Sequence, residues 1–278
     1  MLRRLGGRLV MALPVAFLLL AALQLVANRV EPANRGMEDQ PCPPPESHTL
    51  YVARTVLLTI AGRPAETRDW ADLCFYRRDN AAVVKSGQRP RIVFLGDSIT
   101  QYWARQDPQF FSATMLNRGI AGQTSGQVLL RLTPDALSFK PRIVHLLVGL
   151  NDVVGARGPL RPEDYRSNIR AMLTLARSAG AYVVIGAIPP ARDSGWGTGA
   201  RPVGRIRELN AWLRETARQE GLVFADYWTA MAAPDGSMRT ELADDGVHPN
   251  AAGYAVMGPV ARAALAQAEQ RIGSGLQE

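Results

Sequence analysis

Short apolar runs alternate with longer amphipathic stretches over most of the chain after residue 69. Five runs are too short for ordinary helices and predict buried strands, at 92–95, 114–117, 142–148, 182–188 and 222–226. Five stretches with apolar residues at helical spacing predict helices, at 69–85, 124–137, 162–179, 203–220 and 250–271. This alternation predicts a three-layer α/β/α domain with a parallel sheet, and five strands suggest a flavodoxin-like order that the sequence does not fix.

Two other stretches are ambiguous at this level. Leu50–Ile60 is apolar and β-branched, and it fits either an added strand or a packed arm. Trp103–Phe111 fits either a short helix or a loop.

The N-terminus carries a separate hydrophobic signal. Residues 9–27 are nineteen residues without a charge, and Arg3, Arg4 and Arg8 precede them. This length approaches the ~20 residues that span a bilayer, and the arginines favour a cytoplasmic N-terminus. Residues 1–27 therefore predict an uncleaved inner-membrane anchor, with a cleaved signal peptide as the alternative. We expect the rest of the chain to be periplasmic or otherwise extracytoplasmic.

Residues 28–48 are rich in proline, asparagine and charge and predict a linker before a domain at 49–278, whose part up to about residue 90 is an N-terminal extension. The chain has two cysteines, Cys42 and Cys74. In an exported protein they can form one disulfide, and the alternative is two separate thiols. Neither has the spacing of a metal site.

Composition excludes some classes of protein. With 47% hydrophobic and 21% charged residues, the chain is an ordinary globular protein rather than a disordered one. Its net charge of +7 comes mostly from arginines scattered between apolar positions. That distribution is typical of solvated helix faces, and we expect no nucleic-acid partner.

The first predicted strand ends in Gly96-Asp97-Ser98. Gly96 permits a tight turn, and Asp97 or Ser98 can cap the helix that follows. A serine here can project its hydroxyl from the carboxyl edge of the sheet, as a nucleophile does. The alternative is that Ser98 serves only as the helix cap.

Three later features are expected at the same edge of the sheet as Ser98. Parallel α/β sheets bind their ligands at this edge, outside the carboxyl ends of the strands. Gly122 and Asn151 follow the second and third predicted strands, and His248 lies just before the last helix. A serine nucleophile needs a base, and histidine titrates near neutrality. His48 lies in the linker. His145 lies inside an apolar strand, where a buried structural imidazole is expected, so His248 is the candidate base.

Two acidic residues precede His248. Asp245 can hold the imidazole tautomer, because the Gly-Val spacer permits a turn, and Asp244 is the alternative. Acyl transfer also needs hydrogen-bond donors for the oxyanion, and the Ser98 amide, the Gly122 amide and the Asn151 side chain can supply them.

Four motifs stand in order along the chain: Gly96-Asp97-Ser98-Ile99, Gly119-Ile120-Ala121-Gly122-Gln123-Thr124, Gly149-Leu150-Asn151-Asp152 and Asp245-Gly246-Val247-His248-Pro249. Together they resemble the four blocks of the SGNH (GDSL-type) hydrolases, over about residues 69–270. Within this family, the chain resembles the branch that is similar to platelet-activating-factor acetylhydrolase catalytic subunits and bacterial lysophospholipase/acetylesterase proteins. The resemblance implies Ser98 as nucleophile, His248 as base, Asp245 as its partner, and Ser98, Gly122 and Asn151 as the oxyanion hole.

Two residues depart from the family pattern, Ile99 in place of leucine and Gln123 where aspartate is frequent. We expect the side chain of Gln123 to bind substrate and so to affect substrate preference. The loop 189–203, with Arg192 and Trp196, is expected either to border the substrate pocket or to be an ordinary connection.

The expected function is that of a serine esterase, acting without metal or cofactor on short acyl groups, such as acetyl, of a glycan or lipid ester. The alternatives are an O-acyltransferase acting on a cell-envelope polysaccharide, a lysophospholipase or thioesterase, and a catalytically silent envelope-binding module, against which the intact Ser98, His248 and Asp245 argue. The sequence does not indicate the oligomeric state.

Overall fold

The computed structural model of the protein describes residues 69–192 and 202–275. These residues belong to one compact unit built on a five-stranded parallel sheet. The strand order is β2-β1-β3-β4-β5, which is the flavodoxin-like order that the sequence suggested. The strands are β1 (Ile92–Gly96), β2 (Met115–Gly119), β3 (Ile143–Leu147), β4 (Tyr182–Gly186) and β5 (Val223–Ala225).

Eight α-helices lie in the described part of the chain. They are α1 (Arg77–Lys85), α2 (Ser98–Gln106), α3 (Ser125–Asp135), α4 (Leu150–Val153), α5 (Pro162–Ser178), α6 (Pro202–Gln219), α7 (Tyr227–Met231) and α8 (Ala251–Gly273). Short 3₁₀ turns occur at Leu137–Phe139 and Thr240–Leu242.

Helices cover both faces of the sheet, which confirms the predicted α/β fold. Every residue of β1, β3 and β4 is buried, as continuous apolar runs predict for central parallel strands. Helix α3 contacts α1 and α5, whereas α8 contacts α2 and α7. Strand β2 lies at one edge, and its first three residues are partly exposed.

The predicted helix at 69–85 is wrong for its first half. Residues 69–76 form turns, and α1 begins only at Arg77. Asp72 has a left-handed backbone (φ 53°), and the Asp69 carboxylate accepts hydrogen bonds from the amides of Leu73 and Cys74 at 2.7 Å each. An Asx-type bond to nearby amides competes with the helix, which periodicity alone does not detect.

The structure also resolves the ambiguity after β1. Helix α2 begins at Ser98 and ends at Gln106, so 103–111 is the end of a helix followed by a loop. Helices α4 and α7 were not predicted, because four and five residues are too few to show a helical period.

Several predictions fall outside the described residues. They concern the anchor, the linker, the boundary at residue 48, the stretch at 50–60, Cys42 and Trp196. Cys74 is not a free thiol, and its pairing with Cys42 stays a prediction. None of the described helices has the length and apolar character needed to cross a membrane.

Candidate active site

The turn between β1 and α2 presents Ser98. A Cβ atom on Gly96 would overlap the carbonyl oxygen of Leu147, so only glycine lets β1 pass so close to β3. Asp97 is the N-cap of α2, and its side chain accepts a hydrogen bond from the amide of Ile99 at 3.0 Å. Because Asp97 caps the helix, the Ser98 hydroxyl is not needed for capping and is available for chemistry.

The loop before α8 brings His248 to this hydroxyl. Ser98 Oγ and His248 Nε2 lie 2.9 Å apart, and His248 Nδ1 lies 2.6 Å from Asp245 Oδ2. The other oxygen of Asp245 accepts hydrogen bonds from the amides of Val247 and His248 at 2.8 Å each. Asp244 instead accepts a hydrogen bond from Asn250 at 3.0 Å, so Asp245 is the carboxylate that contacts the imidazole.

The protonation of Asp245 determines the tautomer of the imidazole. Burial raises the pKa of Asp245, but the hydrogen bonds from the His248 ring and from the amides of His248 and Val247 outweigh it and hold the pKa below its ordinary value. An ionised carboxylate only accepts hydrogen bonds, so Nδ1 of His248 carries a hydrogen and donates it. In the neutral ring, Nε2 is then the acceptor of the Ser98 hydroxyl hydrogen.

Arg192 holds the loop that carries these groups. Its amide donates to the Gly246 carbonyl at 2.9 Å, and its guanidinium Nη2 donates to the Ala243 carbonyl at 2.9 Å. Gly246 has φ 78°, and a Cβ atom there would overlap the Arg192 side chain. The described end of the loop at 189–203 therefore supports the catalytic turn.

Backbone and side-chain donors stand near Ser98. Among the described residues, the Ser98 and Gly122 amides have no protein acceptor. The Ser98 amide is free because the first N–H groups of a helix lack an intrahelical partner. The buried Asn151 side chain donates from Nδ2 to the Gln123 carbonyl at 3.0 Å, which leaves its second Nδ2 hydrogen for another acceptor.

The side chain of Gln123 does not point to where it could contact a substrate. It is fully buried, and its Nε2 donates to the Ala71 carbonyl at 2.9 Å and to Asp72 Oδ2 at 3.0 Å. Its Oε1 accepts a hydrogen bond from Nε of Arg131. The expected contact of Gln123 with substrate is therefore contradicted, because every polar atom of its side chain binds the protein itself.

His145 is the structural imidazole that its apolar strand predicted. It is fully buried, its Nε2 lies 2.8 Å from the hydroxyl of Tyr227, and its ring stacks on Phe94. Burial lowers the pKa of His145 to about 3, so the ring is neutral. It does not contact Ser98 and is not a second base.

A buried arginine beneath the site was not predicted. Arg131 is completely buried on α3, and its guanidinium donates to the carbonyls of Gly96 and Arg118 at 2.6 Å each and to Asp135 at 3.2 Å. The sequence does contain a signal for it, because Arg131 and Asp135 lie at i,i+4 on the same helical stripe as the apolar Val128 and Leu132.

Asp152 is a second buried carboxylate near the strand ends. It accepts hydrogen bonds from the amide of Ser125, at 3.0 and 3.1 Å, and from the Ser125 hydroxyl at 2.5 Å. These bonds attach α4, which carries Asn151, to the first turn of α3. Among the described residues, no group of three or more His, Cys, Asp or Glu side chains is arranged to hold a metal ion.

A serine hydroxyl hydrogen-bonded to an imidazole, which is itself oriented by a carboxylate, can carry out nucleophilic acyl transfer. The model of the GDSL-like lipase/acylhydrolase family matches residues 94–256, which contain all of these groups. The chain belongs to this family. It is therefore a hydrolase of the esterase and acylhydrolase class, and the resemblance seen in its motifs is confirmed.

Individual relatives agree with this assignment. A Bacteroides fragilis structure described as an acylhydrolase is 32% identical, with a TM-score of 0.68, and the match covers 72% of this chain and 99% of that one. A Streptococcus pneumoniae structure described as a platelet activating factor is 25% identical, with a TM-score of 0.62, and the match covers 76% and 97% of the two chains.

A curated relative, a multidomain esterase of Ruminococcus flavefaciens, is 30% identical over 155 residues, which are 53% of this chain. The matched region is 19% of that esterase, so this acylhydrolase spans about a fifth of its length.

Proposed function

We propose that this acylhydrolase is a serine esterase that cleaves carboxylic esters through an acyl intermediate on Ser98. The main support is the hydrogen-bonded series from Asp245 through His248 to Ser98, with distances of 2.6 and 2.9 Å. Ser98 is only 5% exposed, so the surrounding protein shields its hydroxyl from most contact with bulk water.

In the proposed reaction, Ser98 Oγ bonds to the ester carbonyl carbon while its proton passes to Nε2 of His248. The tetrahedral intermediate collapses as His248 gives this proton to the departing alcohol oxygen, which leaves an acyl-serine. Water then attacks the acyl carbon and gives a proton to His248. The second tetrahedral intermediate collapses as His248 returns this proton to Ser98 Oγ, which breaks the acyl-serine bond and releases the acid. Asp245 stays ionised throughout and stabilises the imidazolium.

The oxyanion of each tetrahedral intermediate requires donors that are already in place. The Ser98 amide, the Gly122 amide and the second Nδ2 hydrogen of Asn151 are the three donors that we assign to it, since none of them has another acceptor in the described part of the chain. One such donor typically contributes ~2.7–4 kcal/mol to the lowering of the barrier.

Short acyl groups, above all acetyl, on a carbohydrate or lipid are the substrates that we propose, in keeping with the branch that the motifs resemble. Transfer of the acyl group to an acceptor hydroxyl of an envelope polysaccharide would use the same three side chains. Mass detection of sugar-bound acetyl against free acetate separates these two reactions.

We also propose that residues 9–27 anchor the enzyme outside the cytoplasm. A mature protein that lacks the residues before Asn28 would show that the segment is cleaved.

The decisive test is hydrolysis of short-chain p-nitrophenyl esters by the wild type and by Ser98→Ala. We expect the variant to lose at least about 10⁴-fold in kcat. Ser112→Ala is the matched control, because Ser112 is exposed and its hydroxyl is hydrogen-bonded to the side chain of Thr114, away from the site. Equal rates for wild type and Ser98→Ala would exclude the proposal.

A second experiment defines the substrate. It compares kcat/KM over a panel of acetylated sugars, lysophospholipids and esters with longer acyl chains.

A further inference from the structure

The guanidinium of Arg157 lies beside Gly122, the residue whose amide we assign to the oxyanion. A Cβ atom on Gly122 would lie 3.7 Å from Nη2 of Arg157, and nothing else would lie within 4 Å of it. Gly122 has φ 77°, so the open side of its turn faces this guanidinium. Arg157 is exposed and can contact a molecule in solution.

The position of Arg157 depends on Asn151. The turn that carries Arg157 is hydrogen-bonded to α4, since the amide of Ala156 donates to the Asn151 carbonyl at 2.9 Å. Within this turn, the amide of Gly158 donates to the Gly155 carbonyl at 3.0 Å, and both glycines have positive φ. Arg157 is thus held by a tight turn that is bonded to one oxyanion residue, and its side chain reaches the other.

Among the described residues, no hydrogen bond or ion pair joins the guanidinium of Arg157 to the protein. Its electrostatic partner is Asp72, whose carboxylate already accepts a hydrogen bond from Gln123 at 3.0 Å. The carboxylate of Asp245 is hydrogen-bonded to His248 and is not paired with Arg157. A cation beside the oxyanion residues is therefore available to a ligand.

We propose that Arg157 binds an anionic group of the ester substrate, and so gives the enzyme a preference for esters that carry a carboxylate or phosphate near the scissile bond. This inference rests on the proposed esterase function. The planar guanidinium matches the oxygens of both groups and can form two parallel hydrogen bonds with either. The charge would come from an acidic sugar in a glycan or from the phosphate of a lipid headgroup.

Two matched substrate pairs test this. One pair is acetylated glucose and acetylated glucuronate, and the other is 1-acetylglycerol and 1-acetylglycerol 3-phosphate. We expect the wild type to show the higher kcat/KM for the anionic member of at least one pair. In Arg157→Met, the anionic-to-neutral ratio of kcat/KM should fall about fivefold, as for loss of an exposed charge pair, and Arg157→Lys should keep part of the preference. The pair that responds identifies the source of the charge.

Arg161→Met is the matched control. Arg161 follows the same turn and is exposed, but it is paired with Asp164 at 2.9 Å. Its removal should leave the anionic-to-neutral ratio as in the wild type. The wild-type preference should also weaken as salt is added, because an exposed charge pair is screened.

Two results would overturn the inference. One is a ratio that Arg157→Met does not change in either pair. The other is an equal loss on neutral and anionic esters, which would assign Arg157 to the oxyanion instead of the substrate. Neither result depends on failure of the esterase function, since Ser98-dependent cleavage of the neutral members is measured in the same assays. Melting temperatures of all variants confirm that they are folded.

Discussion

The side-chain amide of Asn151 donates from Nδ2 to the backbone carbonyl of Gln123 at 3.0 Å. The carbonyl only accepts, so this bond fixes which end of the amide is nitrogen and which way it faces. It also joins α4, the short helix after β3, to the loop that contains Gly122. Two of the assigned oxyanion donors are thus oriented by one hydrogen bond.

We therefore expect Asn151→Ala to lower kcat by about 10²–10³-fold, because one oxyanion donor is lost. KM should change little, since the bond forms mainly in the transition state. Steady-state kinetics on a p-nitrophenyl acetate substrate measures both. Asn168→Ala is the control, because the Asn168 amide bonds to the Ser125 hydroxyl instead of to the site. A folded Asn151→Ala enzyme with wild-type kcat would remove Asn151 from the mechanism.

Arg131 should contribute strongly to stability. Replacing it by Met removes one donor from each of the carbonyls of Gly96 and Arg118 and leaves Asp135 without its ion-pair partner. We expect Arg131→Met to lower the free energy of unfolding by about 3–5 kcal/mol, as for removal of one partner of a buried pair. Urea denaturation measures this loss.

Two further variants make the Arg131 measurement specific. Arg177→Met removes the exposed ion pair with Glu220 and should cost less than about 1 kcal/mol. Adding Asp135→Leu to Arg131→Met should recover part of the loss, because no uncompensated buried charge remains. A cost as small as that of Arg177→Met would show that the buried network is not stabilising.

Asp97 should make stability depend on pH. Burial raises the pKa of Asp97 to about 7, against an ordinary value of about 4. The folded state holds this proton more tightly than the unfolded state does. The contribution of the protonated Asp97 carboxyl to the free energy of unfolding is therefore complete below about pH 4 and is lost as the pH rises through about 7. The Asp97 carboxyl therefore makes the protein less stable at pH 8 than at pH 5.

Asp97→Asn tests this, since the amide oxygen can still accept the Ile99 amide hydrogen and the side chain carries no charge at any pH. Urea unfolding at pH 5 and pH 8 gives the free-energy difference between variant and wild type at each pH. We expect the free energy of unfolding of the variant, relative to that of the wild type, to be higher at pH 8 than at pH 5. A difference that is the same at both would mean that Asp97 titrates at its ordinary value.

Much of the site was predictable because its signals are local. Asp245 and His248 are three residues apart, and a turn with Gly246 between them brings the carboxylate to the imidazole. Ser98 could be placed at a strand end because a run of apolar residues stops at Gly96. The order of strands then brings Ser98 and His248, which are 150 positions apart, to the same edge.

Other features were missed because they depend on which polar atoms of separate segments come within hydrogen-bonding distance. Gln123 has the same local sequence whether it faces substrate or the protein, and only the packing of residues 71 and 72 against it decides the outcome. Arg157 lies in a stretch with no period, and its place beside Gly122 follows from the path of two separate loops.

The sequence by itself therefore predicted the alternation of strands and helices, the glycine turn at Ser98 and an acidic partner for His248, with Asp245 preferred to Asp244. Each of these depends on burial periodicity or on residues that are close along the chain. Only the tertiary structure decided that the side chain of Gln123 is buried against Arg131 and that Arg157 is exposed beside the oxyanion residues. The physical reason is that apolar periodicity specifies which faces are buried, whereas hydrogen bonds between distant segments depend on distances of a few ångströms that are set only when the strands pair.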